Sequence, residues 1–181
     1  MAAQPFVPDA FEVPRSLRGP GFVLEPLGPQ HNESDHHAWG SSLEHIRSSP
    51  GFDPADWGGD SWPYPMTAEQ NLADLQMHAG EFERREAFAY TVLADTVLAD
   101  DGLADDGLAD GSSADGGSAD VIGCVYIDPD VHADADAMVR SWVRADRAEL
   151  DVVLATAIRD WLQGLWPFST VRFPGRDLRV G

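Results

Sequence analysis

Residues 138–162 read MVRSWVRADRAELDVVLATAIRDWL, and this stretch decides the fold. Its first part is rich in β-branched and aromatic residues, so we predict a strand over residues 137–144. Its last part repeats apolar residues at helical spacing. The apolar stripe consists of Leu150, Val153, Leu154, Ala157, Ile158, Trp161, Leu162 and Leu165. The sequence therefore predicts a strand, a polar loop and a long amphipathic helix in succession.

Four further segments have the composition of strands. They are residues 22–27 (FVLEPL), 88–93 (FAYTVL), 121–127 (VIGCVYI) and 170–173 (TVRF). Each contains β-branched or aromatic residues, and turn-forming residues follow the first and third segments. The run Asp128-Pro129-Asp130 is expected to end the third of these strands.

Two helices are expected between residues 27 and 88. Apolar residues at spacings of four and three predict a first helix over residues 32–46, with Asn32 or Ser34 as its N-cap. Thr67 and Gln70 form a capping-box pattern that begins the second helix. The complete order is β-α-α-β-β-β-α-β, which indicates an α/β (α+β) fold.

A five-residue repeat fills residues 91–120, and every unit ends in Ala-Asp. A period of five matches neither a strand nor a helix, and the later units are mostly Gly, Ser and Asp. We therefore expect residues 95–120 to be an acidic, disordered insert in a hairpin loop. Calcium-binding β-helix repeats have a nine-residue Gly/Asp pattern that is missing here. Pentapeptide-repeat helices place Leu after Ala-Asp, whereas here Leu precedes it.

The charge of the chain excludes several classes of partner. Thirty-one acidic residues oppose twelve basic ones, all of them Arg, for a net charge of −19. Such a charge repels nucleic acids and anionic membranes. Acids spread along the whole chain favour adaptation to strong salt over a local acidic tail. A lone cysteine, the lack of an 18-residue apolar run and the lack of a secretory leader favour the cytoplasm.

The order of elements and three local sequences resemble the GNAT class of N-acetyltransferases. FVLEPLGPQHNESDHHAW is similar to the opening strand and first helix of that family, and VIGCVYIDPD to a central strand and its turn. MVRSWVRADRAELDVVLATAIRDWL has the layout of its cofactor-binding strand, loop and helix. The resemblance implies a mixed, mostly antiparallel central sheet flanked by helices. It places the domain at residues 22–176, with an extension at 1–21 and a tail at 177–181.

The resemblance also implies acetyl-CoA as co-substrate. In this family a loop of the pattern Arg/Gln-x-x-Gly-x-Gly/Ala wraps the cofactor pyrophosphate where the helix begins, because helix N-terminal amides attract anions. Arg147 matches the first position, whereas Leu150 and Val152 stand where the glycines belong. The cofactor contacts implied by the resemblance come from Trp142, Val143, Arg144, Arg147 and Ala148. The two arginines have an alternative interpretation as a solvated strand end, paired with Asp146 or Glu149.

The resemblance gives candidates for catalysis and substrate binding as well. Asp136 is the nearest match to the general base of the family, and its alternative is a plain surface acid. Tyr126 either faces the cofactor groove or packs in the core. Trp57, Trp62 and Tyr64 precede the second helix, where they either line an acceptor pocket or cover the core. The six histidines do not have a metal-ligand spacing, so no metal is expected.

Together these features predict an acetyltransferase that acts on the amine of a small molecule or peptide. Nucleic acids and membranes are not expected as partners, and the family resemblance allows a homodimer. The alternative is a catalytically silent module of the same fold, favoured by the missing loop glycines. The sequence does not identify the acceptor.

Overall fold

A seven-stranded sheet runs through residues 6–56, 62–95 and 119–180, the part of the chain that this computed structural model describes. The strands are β1 (Leu17–Gly19), β2 (Phe22–Pro26), β3 (Phe88–Ala94), β4 (Val121–Pro129), β5 (Ala137–Val143), β6 (Val171–Arg172) and β7 (Arg179–Val180). Neighbours in the sheet follow chain order. Every pair is antiparallel except β5 and β6, which are parallel. The predicted mixed, mostly antiparallel sheet is confirmed.

Helices cover both faces of the sheet. They are α1 (Asn32–Gly40), α2 (Leu43–Arg47), α3 (Ala68–Arg84) and α4 (Asp151–Leu165), with 3-10 turns at Pro29–His31, Pro54–Asp56 and Ala145–Leu150. The core on one face includes the buried side of α4, and the core on the other includes residues of α1, α2 and α3. None of the described helices is long and apolar enough to cross a membrane.

The first predicted helix is two helices in the structure, because the helix is interrupted between Gly40 and Leu43. The prediction of Asn32 or Ser34 as N-cap was wrong. A 3-10 turn leads into α1, and the side chain of Asn32 donates to the carbonyl of Ala68. The hydroxyl of Ser34 accepts from the amide of Val121. Both side chains therefore tie α1 to other elements instead of closing its own end.

The second predicted helix is confirmed as α3. The amide of Gln70 donates to Oγ1 of Thr67 at 3.2 Å, and the amide of Thr67 donates to Oε1 of Gln70 at 2.8 Å. This reciprocal pair satisfies amides that the first helical turn leaves without a partner. The buried residues of α3 are Asn71, Leu75 and Phe82. One of the three is polar, and it reaches the candidate site described below.

Strand β4 is longer than predicted, because it continues through Pro129, which pairs with Ala137 of β5. The turn begins only at Asp130, whose buried carboxylate accepts from the backbone amides of Asp134 and Ala135. Burial alone would raise the pKa of Asp130, but the guanidinium of Arg172 and the turn amides hold it below its ordinary value. This ion pair fastens the β4–β5 turn to β6.

Segments outside the predicted domain limits take part in the fold. Val7 is fully buried and β1 adds a strand to the sheet, both within the expected extension at residues 1–21. Strand β7 lies in the expected tail. At the base of the insert the amide of Ala94 donates to the carbonyl of Asp120, which closes the β3–β4 pair. Disorder is expected for residues 95–120, and of these residues 96–118 lie outside the described residues, whereas Asp95 and Asp120 take part in contacts at the base of the hairpin.

Candidate functional site

A cavity of about 250 Å³ lies between α1, α3 and the sheet. We call it the α1–α3 cavity. Its lining includes Asp35, Trp62, Tyr64, His78, Tyr126 and Arg140. It combines a buried acid, aromatic rings and groups able to transfer a proton, and such a mixture is typical of ligand sites.

Asp35 is the acid of this cavity. It lies on the buried face of α1 and is only 4% exposed. Nδ2 of Asn71 donates to Oδ2 of Asp35 at 3.0 Å, and Nε1 of Trp39 donates to Oδ1 of Asn71 at 2.9 Å. Burial raises the pKa of Asp35 to about 6, although the bond from Asn71 opposes the rise. A carboxyl with such a pKa is ionised at neutral pH and still basic enough to accept a proton.

Tyr126 faces the same cavity from β4. Its ring meets that of Trp62 edge to face at 6.1 Å, and Nε1 of Trp142 donates to its hydroxyl at 3.4 Å. Burial is the largest of the causes that raise the pKa of Tyr126 well above its ordinary value. The phenol therefore keeps its proton at neutral pH. Through Trp142 it is linked to β5.

Arg140 forms part of the floor of the cavity and is 7% exposed. Its guanidinium pairs with the carboxylate of Asp128 at 3.1 Å and lies over the ring of Tyr126 at 5.2 Å. Burial raises the pKa of Asp128, and the guanidinium of Arg140 limits the rise. The positive charge of Arg140 is therefore largely neutralised by a neighbour on the adjacent strand.

Beyond Met138, β5 has no strand partner on the side away from β4 among the described residues. β6 consists of only two residues, which pair with Ala137 and Met138. Antiparallel pairing alternates, and the amide of Arg144 already bonds to β4, so the backbone groups of Ser141 and Val143 point away from β4. Both residues are nonetheless buried, and Nη2 of Arg176 donates to the carbonyl of Ser141 at 3.4 Å. An extended ligand with amide groups could pair with this backbone only after the segments that cover it have moved.

The beginning of α4 lies beside this part of β5, because Arg176 contacts both. Both terminal nitrogens of Arg176 donate to the carboxylate of Asp151, each at 2.7 Å. These two residues help to line a second cavity, of about 330 Å³, which we call the α4 cavity. The carboxylate in the first turn of α4 is therefore already paired with a cation of the chain itself.

Residues 50–52 separate the two cavities. Pro50 lines the α4 cavity, whereas Phe52 packs on Trp62 and lies beneath the guanidinium of Arg140. Gly51 between them has φ +88°, and a Cβ atom there would lie 3.3 Å from both Cγ of Arg140 and the carbonyl oxygen of Pro174. Glycine thus allows this segment to fit closely between β5 and the chain after β6.

The expected cofactor residues have different surroundings. Trp142 and Val143 are buried in β5, and Ala148 is exposed in the 3-10 turn. Arg144 is already engaged, because its guanidinium pairs with Asp120 and Asp146 at 2.7 Å each. This contact agrees with the alternative interpretation, in which the two arginines pair with Asp146 or Glu149. The side chain of Arg147 has no hydrogen-bond or ion-pair partner within residues 6–56, 62–95 and 119–180.

Asp136 lies apart from the α1–α3 cavity. Its Oδ2 accepts from the backbone amides of Ser169 and Thr170, at 2.7 and 3.0 Å, and so fastens the start of β5 to the turn before β6. Trp62 and Tyr64 do line the cavity. Trp57 lies outside the described residues.

The sequence did not single out Asp35 or Asn71 as site residues. The spacing in the sequence could have identified both residues, because Asp35 lies four residues before the buried Trp39 and Asn71 lies four residues before the buried Leu75. Residues four apart share one helix face, so both polar groups belong to apolar stripes. A buried polar residue on such a stripe needs a partner, and here each supplies one for the other.

Comparison with known proteins supports the fold. No protein-family model and no curated protein matches this chain. The microcin C7 self-immunity acetyltransferase MccE, solved with acetyl-CoA and AMP, matches 91% of this chain and 76% of its own at 11% identity, with a TM-score of 0.57. RimL, the ribosomal L7/L12 alpha-N-protein acetyltransferase, solved with coenzyme A, matches 87% of this chain and 73% of its own at 10% identity, with a TM-score of 0.58. The ribosomal-protein-S5-alanine acetyltransferase of Vibrio fischeri matches 88% of this chain and 72% of its own at 11% identity, with a TM-score of 0.54. The chain shares the fold of these acetyltransferases.

Proposed function

We propose that this chain transfers an acetyl group from acetyl-CoA to an amine bound in the α1–α3 cavity. The observation that supports it most strongly is the meeting of Asp35 and Tyr126 in one cavity, with Trp142 joining that cavity to β5. The solved structures that share the fold include complexes with acetyl-CoA and with coenzyme A.

The residues present fit one part of acetyl-CoA better than the other. The backbone of Ser141 and Val143 suits the amide-bearing pantetheine arm, provided that the segments covering it move and the arm replaces the guanidinium of Arg176 at the Ser141 carbonyl. The pyrophosphate lacks the glycine loop of the family, and the Asp151–Arg176 ion pair offers it no net positive charge. Arg147 is the cation that remains for it at the start of α4. We therefore expect the strand edge to contribute most of the affinity.

When bound, acetyl-CoA supplies a thioester whose carbonyl carbon accepts the amine nitrogen and whose sulfur leaves as a thiolate. Asp35 takes a proton from the ammonium group, which leaves the lone pair of the nitrogen free to form the new C–N bond. Tyr126 holds a proton on Oη at neutral pH and can donate it to the leaving sulfur, after which its phenolate takes the proton that the nitrogen loses as the amide forms. Asn71 and Trp39 keep the carboxyl of Asp35 in place.

A second candidate function is that of a catalytically silent binding module. The observation that favours it is the packing of residues 50–52 between the α1–α3 cavity and the α4 cavity. The acceptor and the thioester must meet, so this segment would have to move in a transferase. In a silent module it would stay, and the α1–α3 cavity alone would bind a ligand.

Acetyl transfer to a panel of amines, followed by mass spectrometry of the products in ~2 M KCl, tests the proposal. Asp35→Asn should lower kcat/KM by roughly 10²–10³-fold, and Tyr126→Phe by about tenfold, as general acid–base groups do. The matched control is Asp160→Asn, which removes one exposed carboxylate on α4.

The dependence of kcat/KM on pH gives a second readout. In the wild type it should rise through pH ~6 as Asp35 ionises, and this limb should vanish in Asp35→Asn. His31, His36 and His78 also face Asp35, so the limb must be assigned by the variant. A folded protein that binds acetyl-CoA but acetylates no amine would favour the silent module instead.

A further inference from the structure

Two carboxylates of the α1–α3 cavity form no ion pair with the described residues, although His31, His36 and His78 lie near Asp35. Among the described residues, Asp35 has a hydrogen-bond donor only at Oδ2, from Asn71, and its Oδ1 is left for a ligand. Asp74 of α3 lines the same cavity and has neither a hydrogen bond nor an ion pair with the described residues. An ammonium group between α1 and α3 would meet both charges.

The other charged groups of the cavity wall have neighbours of opposite charge. Arg140 lies 3.1 Å from the carboxylate of Asp128, and Nδ1 of His78 lies 3.1 Å from that of Glu81. Neither pair adds net positive charge at neutral pH. The cavity wall therefore carries a net negative charge, which attracts a cation and repels a carboxylate or phosphate.

The remaining walls of the cavity are formed by apolar side chains, some of them flat aromatic rings and others flexible methionines. The rings of Trp62 and Tyr126 meet at 6.1 Å on one side, and Met66 contributes a thioether. At the mouth, Tyr64 is 44% and Met77 50% exposed. Aromatic faces bind both flat apolar groups and cations, and methionine adapts to irregular shapes. The exposed rim gives apolar contact to a ligand as it enters.

The volume limits the ligand to a small molecule. Pockets for drug-sized ligands usually have ~300–1,000 Å³. The α1–α3 cavity has about 250 Å³, so it encloses a ligand of modest size. A polypeptide could insert only its first residue and would leave the rest outside. The match between cavity and ligand is therefore best for a compact molecule.

From these features we infer that the acceptor is a small primary ammonium ion with a flat apolar body, such as an arylalkylamine, bound by Asp35 and Asp74 with its flat body against the rings of Trp62 and Tyr126. This inference rests on the proposed function, since it names the acceptor class of the same site. Arylalkylamines combine both features. Their ammonium group can pair with the two carboxylates, and their ring can pack against the aromatic wall of the cavity.

Calorimetry on the full chain without acetyl-CoA tests the inference, in KCl at which circular dichroism shows a folded protein. The probes are 2-phenylethylamine, its neutral analogue 2-phenylethanol, and a trialanine peptide with a free N-terminus. We expect 2-phenylethylamine to bind at least tenfold more tightly than either of the others, because a neutral or peptidic ligand loses the charge or the ring contact. Asp35→Asn and Asp74→Asn should each weaken the amine several-fold and leave the alcohol unchanged. Asp160→Asn, with the same loss of charge on the other face of the sheet, should change neither.

Equal binding of the amine and the alcohol, tighter binding of trialanine, or no heat with 10 mM amine would each overturn the inference. The comparison of probes on the wild type needs no variant, so a misfolded Asp35→Asn does not affect it. The result also separates the two claims. Amine binding without acetyl transfer would support the proposed ligand class and contradict the proposed transferase activity. Acetyl transfer to peptides alone would support the transferase activity and contradict the ligand class.

Discussion

Nδ2 of Asn71 donates to Oδ2 of Asp35 at 3.0 Å, and this bond joins the buried faces of α3 and α1. It holds a carboxyl whose pKa is raised to about 6 by burial. A buried acid that is ionised at neutral pH lowers the stability of the fold that contains it. Its position at the wall of a cavity is consistent with the role in proton transfer proposed for it.

Replacing Asp35 by Asn should stabilise the protein at neutral pH. The pKa of Asp35 rises from 3.8 in the unfolded chain to about 6 in the fold. The folded state binds the proton more tightly, so this acid costs stability as pH rises from ~4 to ~6, and the cost is constant above that range. At pH 7.5 the free energy of unfolding of the variant should exceed that of the wild type by up to ~3 kcal/mol. Chemical denaturation at pH 4 and pH 7.5 measures the difference. An equal difference at both pH values would contradict the prediction.

The two arginines near the start of α4 should behave differently towards acetyl-CoA. Arg147 has no side-chain partner among the described residues, so Arg147→Ala should weaken acetyl-CoA binding by about 3–10-fold with little change in Tm. Arg144 holds Asp120 and Asp146, so Arg144→Ala should lower Tm and affect binding less. Calorimetry and thermal melts in ~2 M KCl check both outcomes. A larger loss of affinity in Arg144→Ala would show that its ion pairs open for the cofactor.

Most of the repeat should be removable. Asp95 and Asp120 should be kept, because Asp95 pairs with Arg18 and Asp120 with Arg144. Replacing residues 96–118 by Asn-Gly leaves a short loop on the β3–β4 pair, which the Ala94–Asp120 hydrogen bond already closes. We expect Tm to change by less than ~5 °C, which corresponds to roughly 1 kcal/mol. A loss of more than ~10 °C in thermal melts would mean that the repeat stabilises the fold.

The stability of the chain should rise with salt. The net charge is −19, and the self-repulsion of so many acids is screened only when the Debye length falls from ~10 Å at 0.1 M to ~3 Å at 1 M. Circular dichroism melts should show a cooperative transition near 2 M KCl whose midpoint falls on dialysis to 0.1 M. An unchanged midpoint across this range would count against adaptation to strong salt.

Local signals predicted most elements well. The Thr67–Gln70 capping box marks the start of α3, and the aromatic and β-branched runs mark β3, β4 and β5. Errors occurred where tertiary contacts override a local preference. Ser34 and Asn32 have the chemistry of N-caps, but their side chains bond to β4 and to the start of α3 instead. The prediction that Asp128-Pro129-Asp130 ends a strand is confirmed, because β4 ends at Pro129, which pairs with Ala137.

The candidate site was predictable only in part. Tyr126, Trp62 and Tyr64 were chosen from the sequence, and they line one cavity. Asp136 was chosen as the base because of its place before β5, and its carboxylate instead holds the turn before β6. Asp35 was not chosen, since an acid in the first turns of a helix is usually a surface residue that favours the helix dipole.

By itself the sequence determined the order of most strands and helices, the acidity of the chain and the lack of glycines in the cofactor-loop pattern that the resemblance implies. These depend on residue type and short-range spacing, which can be read directly. Only the tertiary structure decided that Asp35, Asn71 and Tyr126 meet, that Arg176 reaches Ser141, and that residues 50–52 lie between two cavities. These contacts join residues far apart in the chain, and burial, which sets the pKa of Asp35, depends on everything packed around it.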